Sequence, residues 1–323
     1  MSFISVLFAL LLEQARPLGR GNPIHMAMRS WVRWCARMLD AGKPVHGWLV
    51  WYLAVGGPAL AALLIYWLLG FFVSWALAVL WSALVLYTSL GFRQFSFHFT
   101  QIRDALAEGD DAKARRLLAD WQHMDARDLP RTEIIGQVIE ISVLAAHRHV
   151  FGVLAWFSVL AVLGLGPTGA VLYRLAEFVA RYWQHQSQAH LQPVSRAAQD
   201  NAHHAWALMD WVPARLTAIS FAVVGNFEEA IDSWRRFAQQ GRPSNDGLVL
   251  AAMSGAVNIA LRGSSARAYM PSPSAAMPLD EDVSAGRPGP ELQHLAVVVG
   301  LVWRTVVMWV LMLALLTLAR LLG

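Results

Sequence analysis

The sequence predicts an all-α fold: a polytopic transmembrane helical bundle with a cytoplasmic helix pair, in an integral membrane protein of bacterial inner-membrane type. Three observations carry this. Of 323 residues, 56% are apolar and only 15% are charged, against roughly 25% charged in an ordinary soluble domain. Residues 45–92 contain no Asp, Glu, Lys or Arg. A run that long exceeds one crossing of about 20 residues and suits two. A further apolar run, Leu295 to Leu322 with Arg304 early in it, supplies a last span.

Taken in order, residues 1–45 give a short hydrophobic helix followed by a basic amphipathic one. Ser2 to Leu12 is apolar but has no basic segment before it and no Ala-x-Ala site after it, so it reads as a retained helix rather than a signal peptide. It is short for a full crossing. From Ile24 to Leu39, Arg29, Arg33 and Arg37 recur every four residues on one stripe. Ile24, Met28, Trp31, Cys35 and Leu39 form a separate apolar face, a pattern suited to the head-group layer or to an ordinary bundle surface. Residues 46–92 read as a transmembrane hairpin, with Gly70 a candidate turn and Trp48, Trp51, Tyr52, Trp67, Trp75, Trp81 and Tyr87 as interfacial rings. Arg16, Arg20, Arg29, Arg33, Arg37 and Lys43 precede it, and Arg93, Arg103, Lys113, Arg115 and Arg116 follow. Its tip carries no base, so positive-inside reasoning places both flanks in the cytoplasm.

Residues 93–133 read as the cytoplasmic helix pair, broken at Gly109 and closed by Pro130. Residues 134–262 form membrane-embedded helices with a polar site among them. Gly164–Leu165–Gly166–Pro167 interrupts an apolar run there, which lipid does not tolerate unless the free backbone groups are buried in protein. Residues 263–291, rich in Pro, Ser, Ala and Gly, read as a flexible loop, and 292–323 as the C-terminal transmembrane helix.

Composition narrows the chemistry. Lysine occurs only at Lys43 and Lys113; the arginine bias reflects either codon usage or guanidinium forks for phosphate and lipid head groups. The bases are scattered, so no nucleic-acid partner is expected. Cys35 is the single cysteine, which excludes an intrachain disulfide and a Cys₂ or Cys₄ metal site. His147 and His149 point to different helix faces, and Asp200 and His204 lack a third ligand at helical spacing, so no metal site is assigned. Asp210 and Arg215 flank Pro213; they read either as an ion pair across a Pro-kinked turn or as part of an anion site. Walker A, Gly-x-Ser-x-Gly and His-Glu-x-x-His motifs are absent from the sequence.

The order of landmarks resembles the CbiB/CobD family of cobalamin-biosynthesis membrane proteins over nearly the whole chain. The stretch from Ile102 to Leu118 is similar to its helix pair, and Arg127–Asp128 resembles its Arg-Asp-Thr. Gly166 to Tyr173–Arg174 is similar to its Gly/Pro-then-Tyr-Arg segment. Pro213–Ala214–Arg215–Leu216 matches Pro-Ala-Arg-Leu. Ser244–Asn245–Asp246–Gly247 and Met253–Ser254–Gly255–Ala256 resemble its later motifs. The resemblance implies an adenosylcobinamide-phosphate synthase, which joins aminopropanol phosphate to a corrinoid carboxylate with ATP and Mg²⁺. Under it, Glu13, Asp128, Glu177 and Asp210 would serve metal or base roles, and Arg127 and Arg215 would hold phosphate.

The sequence departs where the family's acids belong. Ala146–His147–Arg148 replaces Ala-Glu-Asn, and Leu175 to Ala180 replaces an Asn-Thr-Leu-Asp-Ser-Met run. Leu208 to Leu216 and His147–Arg148–His149 look closer to the related AmpE, which resembles a membrane sensor tied to cell-wall signalling. Two readings therefore stand: a divergent, non-catalytic protein binding an anionic or amphiphilic ligand or a partner, and a working synthase. Arg16, His147, Arg148, Tyr173, Arg174 and Asn245 join the six residues above as candidate ligand-binding residues; no catalytic residue is assigned. Cofactors are ATP and Mg²⁺ only under the synthase reading. Expected partners are membrane lipids and a corrinoid or other anionic amphiphile, with a homo-oligomer left open.

Overall fold

A computed structural model describes residues 2–15, 23–40, 42–122, 125–188, 194–239, 244–261 and 286–322. Every regular element among them is helical, as the composition requires. The helices are α1 (Ser2–Ala15), α2 (Pro23–Leu39), α3 (Pro44–Trp51), α4 (Gly57–Leu68), α5 (Trp75–Ser89), α6 (Phe92–Ala107) and α7 (Asp111–Gln122). They continue as α8 (Arg131–Ala146), α9 (Gly152–Val162), α10 (Thr168–Gln188), α11 (Arg196–Val224), α12 (Phe227–Ala238), α13 (Asn245–Val257) and α14 (Leu292–Leu322). Single π-helical turns at Tyr52–Gly56, Leu69–Val73 and His147–Phe151 keep the flanking helices continuous.

Among the described residues, four helical stretches are long and apolar enough to cross a membrane: Val45–Val73, Arg131–Val162, Arg196–Val224 and Leu292–Ala319. They differ in what surrounds them. Only 22% of the first is buried in protein, against 78% of the second. The first is therefore lipid-facing surface, while the second is an interior helix. The expected turn at Gly70 lies instead at Ser74. Its extended backbone ends one arm, and its hydroxyl accepts from the Leu77 amide at 3.3 Å, capping α5. Gly70 stays helical, and a Cβ there would meet only Ala78, at ordinary contact distance. At 15 residues α5 spans about 22 Å, less than a hydrocarbon core of about 30 Å.

The chain divides into two compact units. The first comprises Met1–Gly91, Arg148–Pro213 and Met312–Gly323. Its central element is α10, which packs on α9, α4 and α5. Tyr173, Ala176, Glu177, Ala180 and Trp183 recur at helical spacing and are all buried. The Gly/Pro interruption does not break a single span. It is a tight turn joining α9 to α10, where Gly164 and Gly166 take φ of 79° and 55° and the Tyr66 ring lies over Gly166. Gly166 and Pro167 are buried, while Leu163 and Gly164 are exposed at the end of α9. On α2, Val32 and Cys35 face inward and the Trp31 indole donates to the Ala54 carbonyl at 3.2 Å. Arg29, Arg33 and Arg37 face outward.

The second unit comprises Phe92–His147 and Ala214–Leu311. Ile134 to Ala146 of α8 is buried on every side, with α6, α7 and α13 against it. α12 and α13 pair closely, and Arg287 locks them. Its guanidinium donates to Ser233 Oγ at 2.6 Å, Glu229 Oε2 at 2.9 Å and Ser254 Oγ at 3.3 Å. The Arg287 side chain is only 7% exposed. Arg287→Ala is expected to cost about 1–3 kcal/mol, because it leaves buried hydroxyls and a carboxylate without their charged donor. A lowered unfolding midpoint in detergent measures it. The flexible-loop expectation for 263–291 falls mostly outside the described residues.

Candidate functional site

α10 builds the polar centre of the first unit. Arg174, Glu177 and Arg181 are spaced i, i+3 and i+7, so their side chains share one helical face. Glu177 is fully buried and lies between both arginines: Arg174 Nη1 reaches Oε2 at 2.5 Å, and Arg181 Nη2 bonds Oε1. Arg148, at the π-helical turn before α9, is fully buried, and its charge also reaches Glu177. His149 is half-buried within reach of the same guanidinium charges, with Gly91 against its ring. On α2, burial and then the charges of Arg174 and Arg29 hold the His25 imidazole below its usual value.

A second polar pair stands beside this group. Tyr173 is fully buried, donates to Asp210 Oδ1 at 2.7 Å and packs against Trp206 with ring centroids 5.0 Å apart. Gly152 makes room for it. A Cβ there would sit 2.1 Å from the Tyr173 ring and hydroxyl. The Trp156 indole donates to the Met209 carbonyl at 2.9 Å and holds α11 at Asp210's level.

Of the expected site residues, Arg148, Tyr173, Arg174, Glu177 and Asp210 thus lie in one unit. Glu13 belongs to that unit too, 6% exposed on α1. Arg16 lies outside the described residues. His147, Arg127, Asp128, Arg215 and Asn245 belong to the other unit. There His147 Nδ1 is 2.9 Å from Thr217 Oγ1, both fully buried. Arg215 Nη1 meets Asn245 Oδ1 at 3.5 Å. Arg127 and Asp128 are exposed. Arg127 clasps Asp125 at 2.7 Å, and that bond holds the Asp125 carboxyl down at about 2.

The idea of a Pro-kinked turn between Asp210 and Arg215 needs correction. α11 runs through Pro213 without interruption, and residues five apart on a helix point to different sides. Asp210 goes to Tyr173 and Arg215 to Asn245. Sequence reasoning missed Arg181, His149 and Trp206. The i, i+3, i+7 spacing of Arg174, Glu177 and Arg181 was a signal for the first; the other two had none.

ATP and Mg²⁺ are implied by the resemblance and can be tested against these residues. Mg²⁺ needs carboxylate oxygens with room for its waters. Glu177 is clamped by two guanidinium groups and Asp210 by a phenol. Among the described residues, no three His, Cys, Asp or Glu side chains come together at metal-holding distance. Three arginines against two carboxylates repel a cation. The donor set does not fit Mg²⁺. It fits an anion.

Fold and site define a multi-pass α-helical membrane protein with a buried, arginine-rich polar centre. A family-level match, described as CobD/Cbib protein, spans residues 5–285. The chain belongs to the CobD/CbiB family. A Cobalamin biosynthesis protein CobD from Chromobacterium violaceum is 32% identical over 227 residues, covering 66% of this chain and 67% of that protein. One from Stutzerimonas stutzeri is 29% identical over 321 residues, 96% of each chain. One from Leptospira interrogans is 28% identical over 194 residues, 58% of each. No solved structure matches significantly.

Proposed function

We propose that this protein sits in the bacterial cytoplasmic membrane and serves cobalamin biosynthesis by binding an anionic amphiphile, a corrinoid carrying carboxylate or phosphate, at its arginine-rich centre. The observation that carries this reading is the charge balance around Glu177. Arg148, Arg174 and Arg181 all act on the Glu177 carboxylate in a buried setting, where electrostatics are strong. An incoming carboxylate or phosphate gains charge-assisted forks from guanidinium groups already in place. The charge of Arg174 also acts on His25 of α2.

A second reading, the amide-forming synthase, is favoured by the family match over residues 5–285 and by relatives named as cobalamin biosynthesis proteins. The two readings separate in one assay. Purified protein is incubated with a corrinoid acid, aminopropanol phosphate, ATP and Mg²⁺, and both corrinoid binding and amide product are followed. The binding reading predicts a saturable complex and no amide. Amide formation that grows with protein concentration establishes the synthase reading instead. Absence of both complex and product sinks the two together.

A further inference from the structure

The second unit holds a cleft of about 230 Å³ between α6, α8 and α14, and nothing in the proposed function uses it. Its walls divide by chemistry. Ser96, Thr100 and Arg103 line one side at i, i+4 and i+7 on α6. Ser142 of α8 adds a hydroxyl whose proton goes to the Val138 carbonyl at 2.7 Å. Val302 and Trp303 of α14 form the apolar side.

Arg103 pairs with its neighbour Asp104 at 2.8 Å, and both side chains are about half exposed, at 46% and 53%. An exposed pair of that kind is weak and exchanges for a doubly charged or better-placed anion. Pockets that enclose a whole drug-sized ligand measure roughly 300–1,000 Å³. This cleft is smaller, so it suits one end of a longer molecule. Two of its three walls, α8 and α14, belong to membrane-crossing stretches, so the rest of that molecule lies in the bilayer.

We propose that the cleft binds the head group of an anionic phospholipid. The phosphate lies against Arg103, with the Ser96 and Thr100 hydroxyls beside it, and the start of the acyl chains runs along Val302 and Trp303. An indole at head-group depth is where tryptophan is ordinarily enriched in membrane proteins. The assignment is independent of the arginine-rich centre, so either can fail alone.

The test uses the full chain in detergent micelles, titrated with phosphatidylglycerol brominated on its acyl chains. Brominated phosphatidylcholine and inorganic phosphate are the comparison arms. Bromine quenches nearby indoles, and the difference between the wild type and Trp303→Phe isolates Trp303. The expected result is half-quenching of Trp303 at about fivefold less phosphatidylglycerol than phosphatidylcholine, the preference one cation near the membrane surface gives. Arg103→Gln, at a half-exposed position the fold tolerates, is expected to abolish that preference. Equal quenching by both lipids overturns the proposal, as does a preference that survives Arg103→Gln. Displacement of the lipid by inorganic phosphate alone overturns it in favour of a soluble anion.

Discussion

Glu177→Gln is expected to be the most damaging single substitution in the first unit. The side chain is fully buried and is shared by Arg174 and Arg181, with Arg148 also within its reach. Glutamine keeps the shape and removes the charge. Breaking a buried ion pair by neutralising one partner costs about 3–5 kcal/mol, because the remaining charges stay desolvated. The apparent unfolding midpoint should fall by on the order of 10 °C. The same variant has a second signature that a merely structural role does not predict. With the competing carboxylate gone, an added anion such as sulfate should raise the midpoint more in Glu177→Gln than in the wild type. A midpoint unchanged by the substitution would show that Glu177 is not holding the arginines.

Gly152→Ala is expected to be nearly as costly, for a steric reason. The new methyl would lie 2.1 Å from Tyr173, which has no free space to move into. Its ring is fully buried against Trp206, and its hydroxyl is fixed on Asp210 at 2.7 Å. Overpacking of this kind costs about 1–3 kcal/mol. Displacing the phenol also leaves the Asp210 carboxylate short of its donor, for roughly another 1–3 kcal/mol. If the collision with Tyr173 is the cause, shrinking the ring should relieve it. Gly152→Ala combined with Tyr173→Leu should then be less destabilised than the sum of the two single variants, by about 1 kcal/mol or more. Simple additivity would place the damage elsewhere.

These two positions show what was legible in the sequence. The all-helical class followed from the charge-free run 45–92 and the scarcity of charge, because a bilayer leaves helices few alternatives. The turn at Ser74 was hidden because Gly70, the obvious breaker, stays inside the helical arm. Gly152 was invisible for a similar reason. A glycine inside a helix says that something approaches, but not that it is Tyr173. His147 and Arg148 could be seen to stand where the family pattern has Glu and Asn. The burial of Arg148 near Glu177 depends on α10 packing against α9, which no local pattern encodes. Arg127 and Asp128 looked like a motif and prove to be an exposed loop, with Arg127 held by Asp125.

The most direct test of the arginine-rich centre is corrinoid binding by the purified protein, followed by the corrin absorption in equilibrium dialysis. A carboxylated corrinoid and its fully amidated, uncharged counterpart are compared on the wild type and on Arg181→Gln. The account predicts that the wild type retains the acid at least about tenfold more tightly than the amide. Arg181→Gln should lose about tenfold in affinity for the acid alone, the equivalent of one charge-assisted contact of about 1.4 kcal/mol. Equal retention of acid and amide, or an acid affinity unmoved by Arg181→Gln, would contradict it.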